Sequence, residues 1–227
     1  TRNLFEYIFS AWGQEVKNHS EIRDLNKFLM TSAHFSYHKE LITWLNLSDK
    51  LDFELIIKNY SNFKKNLWNI FLGDILNGNN PNINFKMPQK QINRSLTFSE
   101  YEIQRIFNHA RVYPPVSTFL VNELPNYKAS TMRCSRKAYD HYYKEQVEII
   151  NKINDRISKE HSIIIESPEK VVYDEEKFIY ESLSIEQLSI ISSYFQRHRK
   201  FIRENNTNSI RDIAIRISKI SDVNKAD

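Results

Sequence analysis

Three glycines in 227 residues, Gly13, Gly73 and Gly78, set the first limit on this chain. A phosphate loop or a dinucleotide fingerprint needs several glycines close together, because the backbone must turn tightly and approach the phosphates without a Cβ. No such cluster exists here. Any nucleotide pocket built from these residues alone is therefore half a pocket.

What the chain offers instead is helical spacing. Leu4, Ile8, Trp12 and Val16 recur every four residues, with Phe5, Phe9 and Ala11 alongside, which predicts a helix over residues 4–18. Leu25, Phe28 and Leu29 mark a second helix, and Leu41, Trp44 and Leu45 a third. Asp52 to Tyr60 breaks the period: Phe53, Leu55 and Ile57 alternate while Ile56 adds an apolar residue on the other face, the pattern of a largely buried strand. Ser61 or Asn62 can cap a following helix that carries Phe63, Leu67, Ile70, Phe71 and Ile75 and stops at Asn77-Gly78-Asn79-Asn80-Pro81. Ser95 opens another helix, with Glu100 and Glu102 early, where the dipole favours acids. Pro114-Pro115 interrupts the chain before Val116–Leu124. A basic connection over 126–137 then leads into a long helix from about Tyr139 to Ile157. Ile163-Ile164-Ile165 reads as a short strand, and Ser184 with Gln187 three residues later as a capping box opening a helix to Phe195.

Composition bounds the class. A hydrophobic share of 41% with 13% aromatic is that of a globular domain with a sizeable core. No apolar run reaches the ~18 residues of a membrane span, and the polar, charged start is unlike a signal peptide. Cys134 has no partner for an internal disulfide, which favours a reducing, cytoplasmic setting. From Gln196 to Asp227 eight Lys/Arg face four Asp/Glu, so the net charge of +4 belongs to the tail. This divides the chain into a charge-balanced body, 1–195, and a basic tail, 196–227. A balanced body argues against a nucleic-acid interface. In the tail, Ile210, Ile213, Ile217 and Ile220 form an amphipathic stripe that could dock on the body, on a partner or on an anionic membrane surface.

The residues most suited to chemistry lie at the start. Arg2 precedes the first helix and Ser10 lies eight residues on, inside it. One charged and one hydroxyl donor held this way can converge on a phosphate. Arg2-Asn3 followed by Ser10 resembles the 3′-phosphate-binding segment of sulfotransferases that use PAPS (3′-phosphoadenosine 5′-phosphosulfate), with Leu4 where that family usually has Pro. Tyr60-Ser61-Asn62-Phe63-Lys64, after the expected strand, looks like the family's Tyr-Glu-Asp-hydrophobic-Lys segment, with Ser61 in place of Glu. Gln91-Ile92-Asn93-Arg94-Ser95-Leu96 is similar to the Asn-x-Ser-Leu that bacterial members carry before a helix; from the residues alone, Asn93 or Ser95 is a cap and Arg94 a loop cation. Arg133, Arg136 and Lys137 stand where carbohydrate sulfotransferases close a late loop over the 3′-phosphate, though no Gly is present and surface charge runs are commonly just solvated.

The resemblance implies an α/β, P-loop-like fold with a parallel sheet, of which this chain would be the predominantly helical later portion, lacking the 5′-phosphosulfate loop. It implies PAPS and its product PAP (adenosine 3′,5′-bisphosphate) as cofactor, bound by Arg2, Ser10, Tyr60, Arg133, Arg136 and Lys137. It further implies sulfuryl transfer to an acceptor hydroxyl, on a carbohydrate or surface glycan. No catalytic base is assigned to these residues. Tyr60 could equally be a core aromatic. His34 and His38, four apart, lack further ligands for zinc, and Cys134 lacks motif support as a nucleophile. A helical interaction protein and a glycosyltransferase-like enzyme using another nucleotide are the alternatives.

Overall fold

The computed structural model describes residues 1–18, 20–31, 37–63, 94–109, 111–129, 131–174, 183–205 and 215. The expected helix beyond Phe63, the loop at 77–81, His34, Gln91–Asn93 and the stripe residues Ile210, Ile213, Ile217 and Ile220 lie outside them. In chain order the helices are α1 (Leu4–Asn18), α2 (Leu25–Thr31), α3 (Tyr37–Leu51), the single turn α4 (Tyr60–Phe63), α5 (Phe98–His109), α6 (Val116–Glu123), α7 (Arg136–Asn154), the short α8 (Pro168–Val171) and α9 (Ile185–Asn205). A 3-10 turn, Lys159–His161, lies between α7 and α8.

The α/β architecture with a parallel sheet is overturned. Among the described residues there is no strand, and the isolated bridge found pairs Cys134 with Val172. Alternation of apolar residues is not enough to make a strand, because a strand must also find neighbours for its main-chain groups. Along 52–59, Phe53 and Ile56 are exposed. Backbone partners appear at the end of the segment, where Thr1 N donates to Lys58 O at 2.7 Å and Tyr60 N to Thr1 O at 2.8 Å. Ile163–Ile165 fares likewise. Ile163 N donates to the Asn154 side chain at 2.8 Å, and Ile164 O accepts the first amide of α1 at 3.0 Å.

The periods of α1 and α2 are realised as read, whereas Trp44 of α3 is exposed and α7 ends at Asn154, short of Ile157. α1 buries Leu4, Phe5, Ile8, Phe9, Trp12 and Val16, and packs against α2 and α5. α7 lies against α2, α3 and α8, while α6 joins α5 to α9. The α1 and α7 faces meet through aromatic rings: Phe5 stacks on Tyr139 with centroids 4.5 Å apart, and Tyr142 meets it edge-on. Each such fully buried side chain contributes roughly 1.5–3 kcal/mol.

Caps fix where the helices begin. Ser184 and Gln187 form the reciprocal pair expected at α9, with Ser184 N on Gln187 Oε1 at 2.8 Å and Gln187 N on Ser184 Oγ at 3.2 Å. α7 starts earlier than Tyr139, because Ser135 Oγ accepts from Ala138 N. α5 starts later than Ser95, because Thr97 and Glu100 make a second capping box. Arg94 stands in the loop before α5, as read, but it is not solvated. It is 2% exposed and forks onto both oxygens of Glu100 at 2.7 and 2.8 Å. It also donates to Leu120 O, while Gln187 Nε2 donates to Glu100 Oε1, so the buried pair ties α5, α6 and α9 together.

Candidate anion-binding site

The start of α1 is braced from three distant places. Its four first main-chain donors would otherwise be orphans. Asn3 N donates to Ser61 Oγ at 2.9 Å, Leu4 N to Ile164 O at 3.0 Å, Phe5 N to Glu166 Oε2 at 2.8 Å and Glu6 N to Glu166 Oε1 at 3.0 Å. The Glu166 carboxylate thus occupies the electropositive helix end where a free anion could otherwise sit.

Arg2 and Ser10 meet beyond that cap. Ser10 stands about two helical turns past Asn3, hence on the same face, and the long Arg2 side chain reaches along it. Arg2 Nη1 donates to Ser10 Oγ at 2.9 Å. The guanidinium also lies over the Tyr60 ring, 4.6 Å from its centroid, a cation–π contact. Three of the six residues expected at a cofactor therefore converge, although they come from separate parts of the chain.

A cleft of about 670 Å³ opens beside them, lined by Arg2, Ser10 and Tyr60 together with Thr131, Glu166 and Lys170 among others. That volume lies in the range of small-molecule sites. A shallower hollow of about 470 Å³, lined by Thr1, Arg2, Tyr7, Ser10, Ala11 and Gln14, lies beside the same two donors. The Arg2–Ser10 pair is thus a ridge reachable from two directions. Glu6 and Glu166 put carboxylates on the larger cleft and Lys170 a further cation.

The other three expected residues stand apart. Arg133 lines a separate cavity of about 510 Å³, between α2 and the start of α5. Arg136 and Lys137 are exposed in the first turn of α7, where Arg136 pairs with Asp140 at 2.9 Å. Reading the basic stretch as a cation loop therefore missed its geometry. It is Ala129, Thr131 and Met132, just before it, that line the cleft with Arg2. Glu166 and Lys170 were also missed. They lie over 150 residues from Arg2, and no short motif signals an acid that caps so distant a helix.

Burial decides the rest. Cys134 is fully buried and its thiol is pushed up to about 12, which removes it as a nucleophile near neutral pH. His38 is buried edge-on against Tyr7, and burial, with the Thr1 ammonium adding to it, lowers its pKa to about 4. Tyr101, on the cleft floor, has its phenol pKa raised by burial and packs against Trp12. Its ring sits so close to Gly13 that a Cβ there would meet the hydroxyl at 2.6 Å. Among the described residues no group of three or more His, Cys, Asp or Glu gathers as for a metal ion, and no helix is long and apolar enough to cross a membrane. Comparison with protein-family models, with curated proteins and with solved structures finds no match to this chain.

Proposed function

We propose that this chain binds the 3′-phosphate end of PAPS, and of PAP after transfer, as part of a sulfotransferase acting on an acceptor hydroxyl. One observation carries the reading: Arg2 Nη1 and Ser10 Oγ lie 2.9 Å apart on the wall of a nucleotide-sized cleft. A guanidinium and a hydroxyl at that spacing can both donate to one phosphate oxygen set. Tyr60 holds the guanidinium on its ring and offers an aromatic wall for adenine. The donor set fits a phosphate, with Lys170 adding charge and Glu166 keeping the helix end from competing for it. PAPS supplies the transferable sulfuryl group. These residues bind and orient, and none of them is assigned proton transfer. A carbohydrate acceptor and a cytoplasmic setting belong to the same reading.

The all-helical architecture favours a second reading, a helical interaction protein in which the Arg2–Tyr60 contact is structural. Calorimetry with PAP and AMP separates the two. A charge-assisted hydrogen bond is worth about 1.5–3 kcal/mol, so Arg2→Ala weakens PAP by about tenfold or more and leaves AMP nearly unchanged. Equal losses for both nucleotides, or no PAP binding by the unaltered chain, overturn the nucleotide reading.

A further inference from the structure

We infer that Asn59 is the positioning residue of the Arg2–Ser10–Tyr60 corner, an inference that rests on the phosphate-site reading above. Asn59 is fully buried, and its amide makes three hydrogen bonds, two of them to distant parts of the chain. Nδ2 donates to Asn3 Oδ1 at 3.0 Å and to Ser162 O at 2.7 Å, and Oδ1 accepts from Ser61 N at 3.0 Å. Two of these ties fall one residue from the corner: Asn3 follows Arg2, and Ser61 follows Tyr60. The side chain is therefore a strut between the backbone that carries the guanidinium and the backbone that carries the ring beneath it.

The chemistry of the strut is specific. An aspartate has the same shape but would turn a carboxylate oxygen toward Asn3 Oδ1 and Ser162 O, setting acceptor against acceptor. An apolar residue would leave the Asn3 and Ser162 oxygens and the Ser61 amide, all partly buried, without this partner. The seam is completed by Thr1 N on Lys58 O, Tyr60 N on Thr1 O and Asn3 N on Ser61 Oγ. None of these bonds touches the ligand cleft through Asn59 itself. Its effect on binding passes through the placement of Arg2 and Tyr60.

The test is a double-mutant cycle on PAP affinity, with a readout that needs no ligand beside it. Asn59→Ala is expected to weaken PAP about fivefold or more in the unaltered background and to add almost nothing to Arg2→Ala, because coupled residues fail to add. Equal losses in both backgrounds, or unchanged affinity alongside a lowered unfolding midpoint, overturn the inference and leave Asn59 a fold residue only. The second readout is the arginine side-chain NMR spectrum. The Tyr60 ring shifts the Arg2 δ-protons upfield in the parent protein, and Asn59→Ala returns them to ordinary values. Retention of that shift overturns the inference. If the parent protein fails to bind PAP, the nucleotide reading falls by itself and the NMR arm still decides the strut. Should Asn59→Ala not fold, Ser61→Ala, which removes the acceptor of Asn3 N, carries the same measurements with the same expected directions.

Discussion

Two arginines in this molecule meet opposite environments. Arg94 is buried and faces a carboxylate fork-to-fork, with Glu100 further held by Gln187 and by the Thr97 amide. Arg2 is half-buried on a cleft wall, where a hydroxyl and an aromatic face receive its guanidinium. In the first arrangement both Nη atoms are committed to the buried Glu100 carboxylate, which neutralises the guanidinium. Around the second, a hydroxyl and an aromatic face orient the guanidinium on a cleft wall. What separates the two arginines is therefore burial and the fork onto a buried carboxylate, not the residue or its distance from a helix end.

This contrast can be broken by experiment. The largest effect belongs to the buried pair. Glu100→Ala strands the Arg94 guanidinium, which costs about 3–5 kcal/mol, whereas Arg2→Ala, at a partly exposed site, loses less, with the Ser10 hydrogen bond and the Tyr60 contact each worth about 0.5–1.5 kcal/mol. Urea unfolding of the two variants measures both, and comparable losses would erase the distinction. Next in size is a pH effect behind the cleft. His38 binds its proton in the unfolded chain near pH 6.5 but in the folded one only near 4. Its contribution is thus intact above pH 6.5 and is lost as pH falls toward 4, up to about 3 kcal/mol. The unfolding midpoint should fall more steeply between pH 6.5 and 4.5 in the parent chain than in His38→Gln. Parallel slopes would mean that His38 is open to water. The smallest effect sharpens the geometry of the cleft floor. Gly13→Ala improves helix propensity but drives a methyl into the Tyr101 ring. Tyr101 is buried against Trp12 and has little room to yield, so the net cost is about 1–3 kcal/mol. A stabilised Gly13→Ala protein would show that the ring moves freely.

Legibility in the sequence followed the range of the interactions. The four-residue stripe of α1 and the Ser184–Gln187 box depend on neighbours within one or two turns, and the structure places them where their spacing says. The strand over 52–60 was misread because alternation reports the shape of a segment and not whether a partner lies alongside. The burial of Arg94 was missed because its acid partner, six residues on, read equally well as a helix-dipole residue. At the cleft, the Arg2–Ser10 spacing was visible since Arg2 lies just before α1 and Ser10 within it. Glu166, Lys170 and the approach of Ala129, Thr131 and Met132 were not, because each depends on chain segments that meet only after folding. Arg133 shows the reverse error: nearness in sequence to a basic cluster placed it at a ligand, while the fold turns it into another cavity.

The braced start of α1 has a consequence for the order of assembly. Helix ends ordinarily fray because water serves their free amides as well as protein does. Here Ser61, Ile164 and Glu166 serve them instead, the last two from some 160 residues away. The first turn of α1 cannot be completed locally: it waits for the far half of the chain to arrive. Closing contacts of such long range slows folding but makes them part of the last cooperative unit to open. The amides of Phe5 and Glu6 therefore join the late-opening interior instead of the frayed edge. A helix terminus becomes the point where the two halves of the chain are latched, and the arginine two residues before it is ordered only once that latch has closed.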